Sequence, residues 1–303
     1  MKKVILGILL LLAVMALPAG AATTDNVPVS QWVGQEFITL NLPNDRRDQG
    51  YDIYVGNFSA ADLRSDSVGK LPRLPYLNHY AKRVVVTGVE SVRWENENYF
   101  IVSMTEKDTN LQLTARTYSG QIDGLVPAAD LEKTRRDFVG KTIYAKQEYL
   151  VDHPNPATVL VPFGQPMAVT DVWVGYETYE PILLVVEYNN KKAVLPIAYS
   201  WTNQSSGNWT SADAWQKNFF VEDPRKVTGK NTEIWANIAS SRVETGMSRE
   251  EVRLSWGTPP LTDTAREDGV YYEIWTYGNN KLYFTGNVLT RMVVTPIAAA
   301  ENN

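Results

Sequence analysis

The chain has 303 residues, of which 44% are hydrophobic and 21% are charged, so it is large enough for two or three domains with sizeable cores. Its formal net charge is −5, and its longest basic clusters are pairs such as Arg46-Arg47 and Arg135-Arg136, which excludes the clustered positive charge that nucleic-acid phosphates require. Cysteine is absent, which excludes disulfides, thiolate metal sites, a cysteine nucleophile and the lipidated cysteine that begins a mature bacterial lipoprotein.

The first 21 residues have the pattern of a secretory signal peptide. Lys2 and Lys3 precede an apolar run at 4–17, and small residues at positions 19 and 21 suit cleavage before Ala22. The apolar run is shorter than the roughly 20 residues of a spanning helix, although an uncleaved anchor remains the alternative. Cleavage leaves 27 basic and 34 acidic residues, a formal charge of −7. We expect a periplasmic or secreted protein with no transmembrane segment after cleavage and, without cysteine, no lipid anchor.

An internal repeat organises the middle of the chain. The hexapeptide WVGQEF at 32–37 is matched by FVGKTI at 138–143. Each copy continues with a polar, proline-containing stretch and then a strand-like run, VVVTGV at 84–89 and MAVTDV at 167–172. We therefore predict two β domains with the same plan.

Each copy of the repeat also predicts a β-hairpin. In the first copy, residues 99–105 pair with 111–118, and in the second copy 182–188 pair with 193–199 across Asn-Asn-Lys-Lys. An opening V-G-K/Q strand, a long first loop and tight hairpins resemble bacterial SH3-like domains. The resemblance implies small antiparallel β-barrels.

Linkers are predicted near 127–136 and 222–230, where apolar periodicity stops and charges, proline or glycine collect. The predicted fold class is therefore mostly β with a C-terminal α+β domain. The predicted divisions are a signal peptide at 1–21, a β-barrel-like domain at 22–132, a second β-barrel-like domain at 133–224, an α+β domain at 225–297 and a tail at 298–303.

Aromatic rings alternate with small polar residues and glycine over residues 199–220. Trp201, Trp209 and Trp215 are the candidate binding residues, because tryptophan supplies a large rigid contact area at little entropic cost. Such a loop stacks sugars or receives a partner protein. The alternative is that the rings fold back over the second β domain, since exposed apolar patches are costly.

Two helices are predicted in the C-terminal part of the chain. Apolar residues at helical spacing predict the first over 232–241. Ser248 and Glu251 form a capping box, which predicts that the second helix starts at Ser248. Gly257 and the prolines after it end that helix close to Trp256.

Three strands rich in aromatic and β-branched residues follow, with glycine-asparagine turns between them. With its Met-Ser helix start, glycine-x-proline helix end and W-x-Y strand, this module resembles a BamE-like (SmpA/OmlA) domain. The resemblance implies two helices on one face of a three-stranded sheet, and docking to envelope proteins or lipid headgroups rather than catalysis. Alternation places Trp275 and Tyr277 on one side of the sheet but leaves open whether that side meets the helices or solvent. The predicted strands span residues 271–277, 281–285 and 288–294.

Catalytic motifs are absent from the sequence. His79 and His153 stand in no HExxH or H-x-H pattern, so no metal site is predicted. Nucleophile elbows, S-x-x-K motifs and phosphate-binding loops are missing. Carboxylates such as Glu95, Glu97 and Glu187 are interpreted as solvated charges. We therefore expect a protein that is not an enzyme and has no cofactor.

Three hypotheses for the function follow. The leading one is a non-enzymatic secreted or periplasmic cell-envelope protein that acts as an interaction or scaffold module through its BamE-like domain. The first alternative is a glycan- or peptidoglycan-binding protein that uses the SH3-like domains and the Trp201–Trp215 loop. The second alternative is a secreted inhibitor of a hydrolase, because β-lactamase-inhibitory proteins are built on the same plan as BamE-like domains. The expected partner is thus an envelope protein or a cell-wall glycan.

Overall fold

The protein is mostly β, with curled antiparallel sheets and three α-helices in the part of the chain that the structure describes. The structure is a computed structural model. The predicted signal peptide and the 298–303 tail lie outside the described residues. The described ranges are 28–64, 68–94, 96–118, 120–146, 148–152, 157–177, 180–197 and 219–294.

The first β unit contains a six-stranded sheet. Its strands are β1 Glu36–Thr39, β2 Tyr54–Val55, β3 Arg83–Trp94, β4 Glu97–Glu106, β5 Gln112–Thr117 and β6 Leu125–Pro127. Their order in the sheet is β2-β5-β4-β3-β1-β6. Strands β4 and β5 pair antiparallel with Thr105 opposite Gln112, which confirms the first predicted hairpin.

The second β unit contains a seven-stranded sheet. Its strands are β7 Thr142–Ala145, β8 Tyr149–Asp152, β9 Thr158–Leu160, β10 Pro166–Glu177, β11 Glu180–Tyr188, β12 Lys191–Ile197 and β13 Phe219–Phe220. Their order in the sheet is β13-β7-β10-β11-β12-β8-β9. The predicted hairpin between β11 and β12 is confirmed. Its turn is shorter than predicted, because Asn189 and Asn190 both adopt positive φ, 51° and 59°, and form a two-residue connection.

The repeat seen in the sequence corresponds to a repeat in the structure. Apart from the additional strand β9, the two sheets have the same strand order. Gly34 and Gly140 adopt φ of 85° and 81°, and their N–H groups donate to Val86 O at 2.8 Å and Val169 O at 2.9 Å. A β-bulge follows directly after each of these accepting residues. The glycine is needed in both copies because this positive φ strains other residues.

Strand β1 contributes to the cores of both β units. Phe37 packs in the core of the first unit, whereas Ile38 and Leu40, the residue directly after the end of β1, pack in the core of the second. All three side chains are buried. The backbone continues this contact, because the Asn41 N–H donates to Gly175 O in β10 at 3.0 Å.

The linker predicted near 127–136 is wrong, because this segment forms helix α1, Ala128–Phe138. Leu131, Thr134 and Phe138 are buried at helical spacing, while Arg135 and Arg136 lie on the exposed side. The charges that suggested a linker are the solvent face of an amphipathic helix. The second predicted linker, near 222–230, includes a 3₁₀ helix at Pro224–Val227. The Asp223 side chain caps its N-terminus by accepting a hydrogen bond from Arg225 N.

The C-terminal unit, residues 224–294, contains α2 at Thr232–Ala239 and α3 at Arg249–Trp256. The capping box is confirmed: the Ser248 side chain accepts from Glu251 N, and the Glu251 carboxylate accepts from Ser248 N at 2.6 Å. Gly257 ends α3 with a φ of 82°. Both predicted helices are therefore present.

The sheet of this unit has four strands, which corrects the three predicted. The fourth strand lies at the edge, and its residues are nearly all exposed, so the sequence shows no apolar alternation there. The Asp268-Gly269 turn after it, with φ of 49° and 81°, is the hairpin signal that was missed. The strands are β14 Leu261–Glu267, β15 Val270–Tyr277, β16 Asn280–Thr285 and β17 Val288–Val293.

The C-terminal unit packs against the loop that precedes β10. The Phe163 ring lies 5.9 Å from the Trp235 ring of α2 and 5.5 Å from the Phe220 ring of β13. Gly164 allows this approach, since a methyl group at Gly164 would lie 2.4 Å from Trp235 Cζ2. Aromatic packing therefore joins the second and third units.

We predict that Gly175→Ala lowers the free energy of unfolding by about 1–3 kcal/mol, the usual cost of overpacking. The added methyl group would lie 1.9 Å from Glu180 O, so the start of strand β11 must shift. Gly69→Ala is the matched control, because its methyl group would have no neighbour within 4 Å. Urea denaturation monitored by tryptophan fluorescence compares the two variants, and equal midpoints would contradict the prediction.

Candidate functional site

A cleft of about 510 Å³ lies between the long first loop of the first β unit and strand β10 of the second. We call it the inter-sheet cleft. Its volume lies in the range of small-molecule sites, which combine apolar and aromatic walls with a few oriented polar groups. Its aromatic and charged lining residues are Tyr76, Tyr80, Trp173, Tyr176, Arg47 and Arg135.

The first wall of the cleft is a pair of stacked tyrosines. The rings of Tyr76 and Tyr80 lie 5.3 Å apart with an interplanar angle of 20°. The Arg47 guanidinium lies over Tyr76, 4.8 Å from the ring centroid. The Tyr76 hydroxyl donates to Asn41 Oδ1, and burial raises the pKa of Tyr76 while Arg47 opposes the rise. The phenol is therefore a protonated donor at neutral pH, and Tyr80 is 49% exposed to the cleft and solvent.

A buried polar network positions this wall. His79 Nδ1 lies 2.8 Å from Oε1 of Glu106, whose side chain is fully buried. Thr109 also donates to the Glu106 carboxylate, and Thr39 Oγ1 donates to His79 O at 2.5 Å. The loop needs this support because Ala81 adopts a φ of 55°, which strains a residue other than glycine. His79, which stands in no sequence motif, thus has a structural partner.

The second wall of the cleft comes from strand β10 and helix α1. Trp173 Nε1 donates to Asp171 Oδ2 at 2.9 Å, which orients the indole. Arg135 Nη2 donates to Val172 O at 2.6 Å and lies 3.5 Å from the Asp171 carboxylate. The bond from Asn41 N to Gly175 O holds this wall against the first one. Hydrogen bonds therefore hold side chains on both walls of the cleft.

The predicted binding residues Trp201, Trp209 and Trp215 lie outside the described residues, as does His153. The cleft residues were missed by sequence reasoning. The only local signal for them is the spacing of Tyr76 and Tyr80 around His79 in a polar loop. Nothing in the sequence brings this loop next to strand β10, about ninety residues later.

The C-terminal sheet resolves a question that the sequence left open. Trp275 is completely buried under the helices, and the Tyr277 hydroxyl donates to Gly257 O at 2.7 Å, so this side of the sheet meets the helices. The opposite face carries Tyr272 and Tyr283, whose rings meet edge to face at 5.9 Å. The Arg291 guanidinium lies 3.8 Å from the Tyr283 ring centroid. This open face is a second candidate surface.

Comparisons with known proteins gave no match to a family model, to a curated protein or to a solved structure. No helix within the described ranges is long and apolar enough to cross a membrane. In the same part of the chain, no group of three or more histidine or acidic side chains is placed to hold a metal ion.

The described lining of the inter-sheet cleft contains aromatic, aliphatic, amide and guanidinium groups but no carboxylate, histidine or hydroxyl nucleophile other than the tyrosines. Aromatic rings offer flat apolar faces, while guanidinium and amide groups donate directed hydrogen bonds. These groups suit the binding of a ligand that has both apolar faces and polar edges.

We predict that His79→Leu lowers the free energy of unfolding by about 1–3 kcal/mol, because it leaves the buried Glu106 carboxylate short of a hydrogen bond. His79→Asn is the matched variant, since its amide places a donor close to the Nδ1 position and should recover most of that loss. The check is urea denaturation of both variants. Equal losses in the two would show that the bond between His79 and Glu106 does not stabilise the loop.

Proposed function

We propose that the protein is a non-enzymatic binding protein of the bacterial cell envelope, and that its inter-sheet cleft holds a glycan chain of the cell wall. The single observation that carries this proposal is the lining of the cleft. Four aromatic rings and two guanidinium groups border one space of about 510 Å³.

Sugar rings match this lining chemically. Their C–H faces pack against aromatic rings, and their hydroxyl edges accept hydrogen bonds from guanidinium and amide groups. Rigid tyrosine and tryptophan side chains lose little conformational entropy on binding, so they provide contact area efficiently. Tyr80 and Trp173 line opposite walls of the cleft, and in this proposal they contact the sugar from its two sides.

The architecture of the two β units supports the same proposal. Each has a long first loop, a three-stranded meander and a short closing strand beside the opening strand. This order resembles that of bacterial SH3-like domains, and in this proposal the tandem pair forms the glycan-binding part of the protein. The signal-peptide pattern at 1–21 would deliver the chain to the periplasm or the medium, where cell-wall glycan is accessible.

A second candidate function is protein docking through the C-terminal unit. The observation that favours it is the open sheet face, where Tyr272, Tyr283 and Arg291 lie opposite the helix-covered side. Two helices over an antiparallel sheet support the BamE-like resemblance, from which the edge strand β14 is a departure. In this scheme the C-terminal unit binds an envelope protein while the inter-sheet cleft binds glycan.

We predict that Tyr80→Ala weakens retention of the protein on purified peptidoglycan sacculi by roughly tenfold, the usual effect of removing an aromatic contact from the centre of a binding site. Co-sedimentation of the protein with sacculi is the measurement. Tyr149→Ala is the matched control, because Tyr149 is 67% exposed on β8 and does not line the cleft. If the Trp201–Trp215 segment also contributes, Trp209→Ala weakens retention in the same assay.

The unmodified protein must be retained for the proposal to stand. Failure of the protein to sediment with sacculi would reject glycan binding. Retention of Tyr80→Ala at the level of Tyr149→Ala would remove the inter-sheet cleft from the binding site.

A further inference from the structure

We infer that the ligand of the inter-sheet cleft is an acidic sugar chain, and that Arg47 binds one of its carboxylates. This inference rests on the proposed glycan binding and specifies the charge of the glycan. It assigns the anion-binding role to a single side chain of the first wall.

Arg47 is half-buried and makes its hydrogen bonds only to neutral acceptors. Its Nε donates to Leu42 O at 2.8 Å, and its Nη2 donates to Asn41 Oδ1 at 3.1 Å. No carboxylate lies within 4.0 Å of this guanidinium among the described residues, and its Nη1 atom has no hydrogen-bond partner there. The positive charge of Arg47 is therefore held in position without being neutralised.

The adjacent arginine shows the contrast. Arg46 forms an ion pair with Asp123 and does not line the cleft. On the opposite wall, Arg135 is balanced by Asp171, 3.5 Å away. Because no Asp or Glu belongs to the described lining, Arg47 gives the cleft a net positive charge in a chain whose own formal charge is −5. A partly desolvated positive group in a concave site attracts anions.

The geometry selects a carboxylate carried on a sugar. A guanidinium with a free Nη edge binds carboxylates through directed, charge-assisted hydrogen bonds. Here the Arg47 guanidinium lies over the Tyr76 ring, and that ring stacks on Tyr80. A sugar ring packed on this wall can therefore carry its acidic substituent towards Arg47. A flexible acidic peptide uses the charge but gains less from the flat aromatic wall.

The test uses a matched pair of probes on the full-length protein. One is a tetrasaccharide of alternating N-acetylglucosamine and N-acetylmuramic acid with free carboxylates, and the other is its methyl ester, which has the same rings without charge. We expect the acidic tetrasaccharide to bind about tenfold more tightly at low salt, as measured by calorimetry, because a charge-assisted hydrogen bond is gained. Salt should reduce this preference.

Two variants locate the effect. Arg47→Gln should bind both tetrasaccharides with similar affinity, whereas Arg46→Gln should keep the preference of the unmodified protein. Circular dichroism and the thermal midpoint check that both variants are folded. The Arg47→Gln side chain can still donate an amide hydrogen, so a loss of preference without a loss of ester binding reports on charge rather than on folding.

The outcomes separate this inference from the proposed function. Equal binding of the acid and the ester by the unmodified protein overturns the acidic-ligand inference but leaves glycan binding in place. Binding of neither tetrasaccharide overturns the proposed function itself. Binding of tetraglutamate as tightly as the acidic tetrasaccharide shows that the ligand class is an acidic peptide, which also overturns the inference.

Discussion

Strand β1 is buried on both of its sides, and this burial fastens the two β units to each other. Phe37 faces the first core, while Ile38 and Leu40 face the second, so the two β units cannot separate without exposing apolar side chains. Each such side chain contributes roughly 1.5–3 kcal/mol when fully buried. The bond from Asn41 N to Gly175 O continues directly from this strand. The walls of the inter-sheet cleft are thus fixed before any ligand arrives, which lowers the ordering cost of binding.

The loops before β3 and β10 occupy equivalent positions in the two β units but make different contacts. Tyr80 and Phe163 each stand four residues before the matched VVVTGV and MAVTDV runs. In the first unit this aromatic residue lines an open cleft, whereas in the second unit it packs against Trp235 of the C-terminal unit. The two sheets therefore share one architecture, but their loops differ in what they contact. The loop with Tyr80 borders the cleft, whereas the loop with Phe163 is covered by the C-terminal unit.

The sequence predicted those parts of the fold that depend on local signals. One example is the capping box of Ser248 and Glu251. Another is the pair of hairpin turns at Gly278 and Gly286. Both signals involve residues that are close in sequence, so they can be recognised without tertiary contacts. Helix α1 was not predicted, because its exposed charged residues obscure the few apolar residues on its buried side. Strand β14 was not predicted, because both of its faces are exposed to solvent and its sequence shows no apolar alternation. The cleft could not be predicted, because its walls come from segments far apart in the chain and meet only through the packing of β1.

An ¹⁵N NMR titration with the acidic tetrasaccharide shows whether the ligand binds in the inter-sheet cleft. The titration follows the indole signals of the nine tryptophans. Assignment by single Trp→Phe changes identifies each signal. Trp173 lines the cleft, whereas Trp275 is buried in the C-terminal core. We expect a saturable shift of the Trp173 signal with little change at Trp275. Binding that leaves the Trp173 signal in place and moves signals of the C-terminal unit would place the ligand outside the inter-sheet cleft.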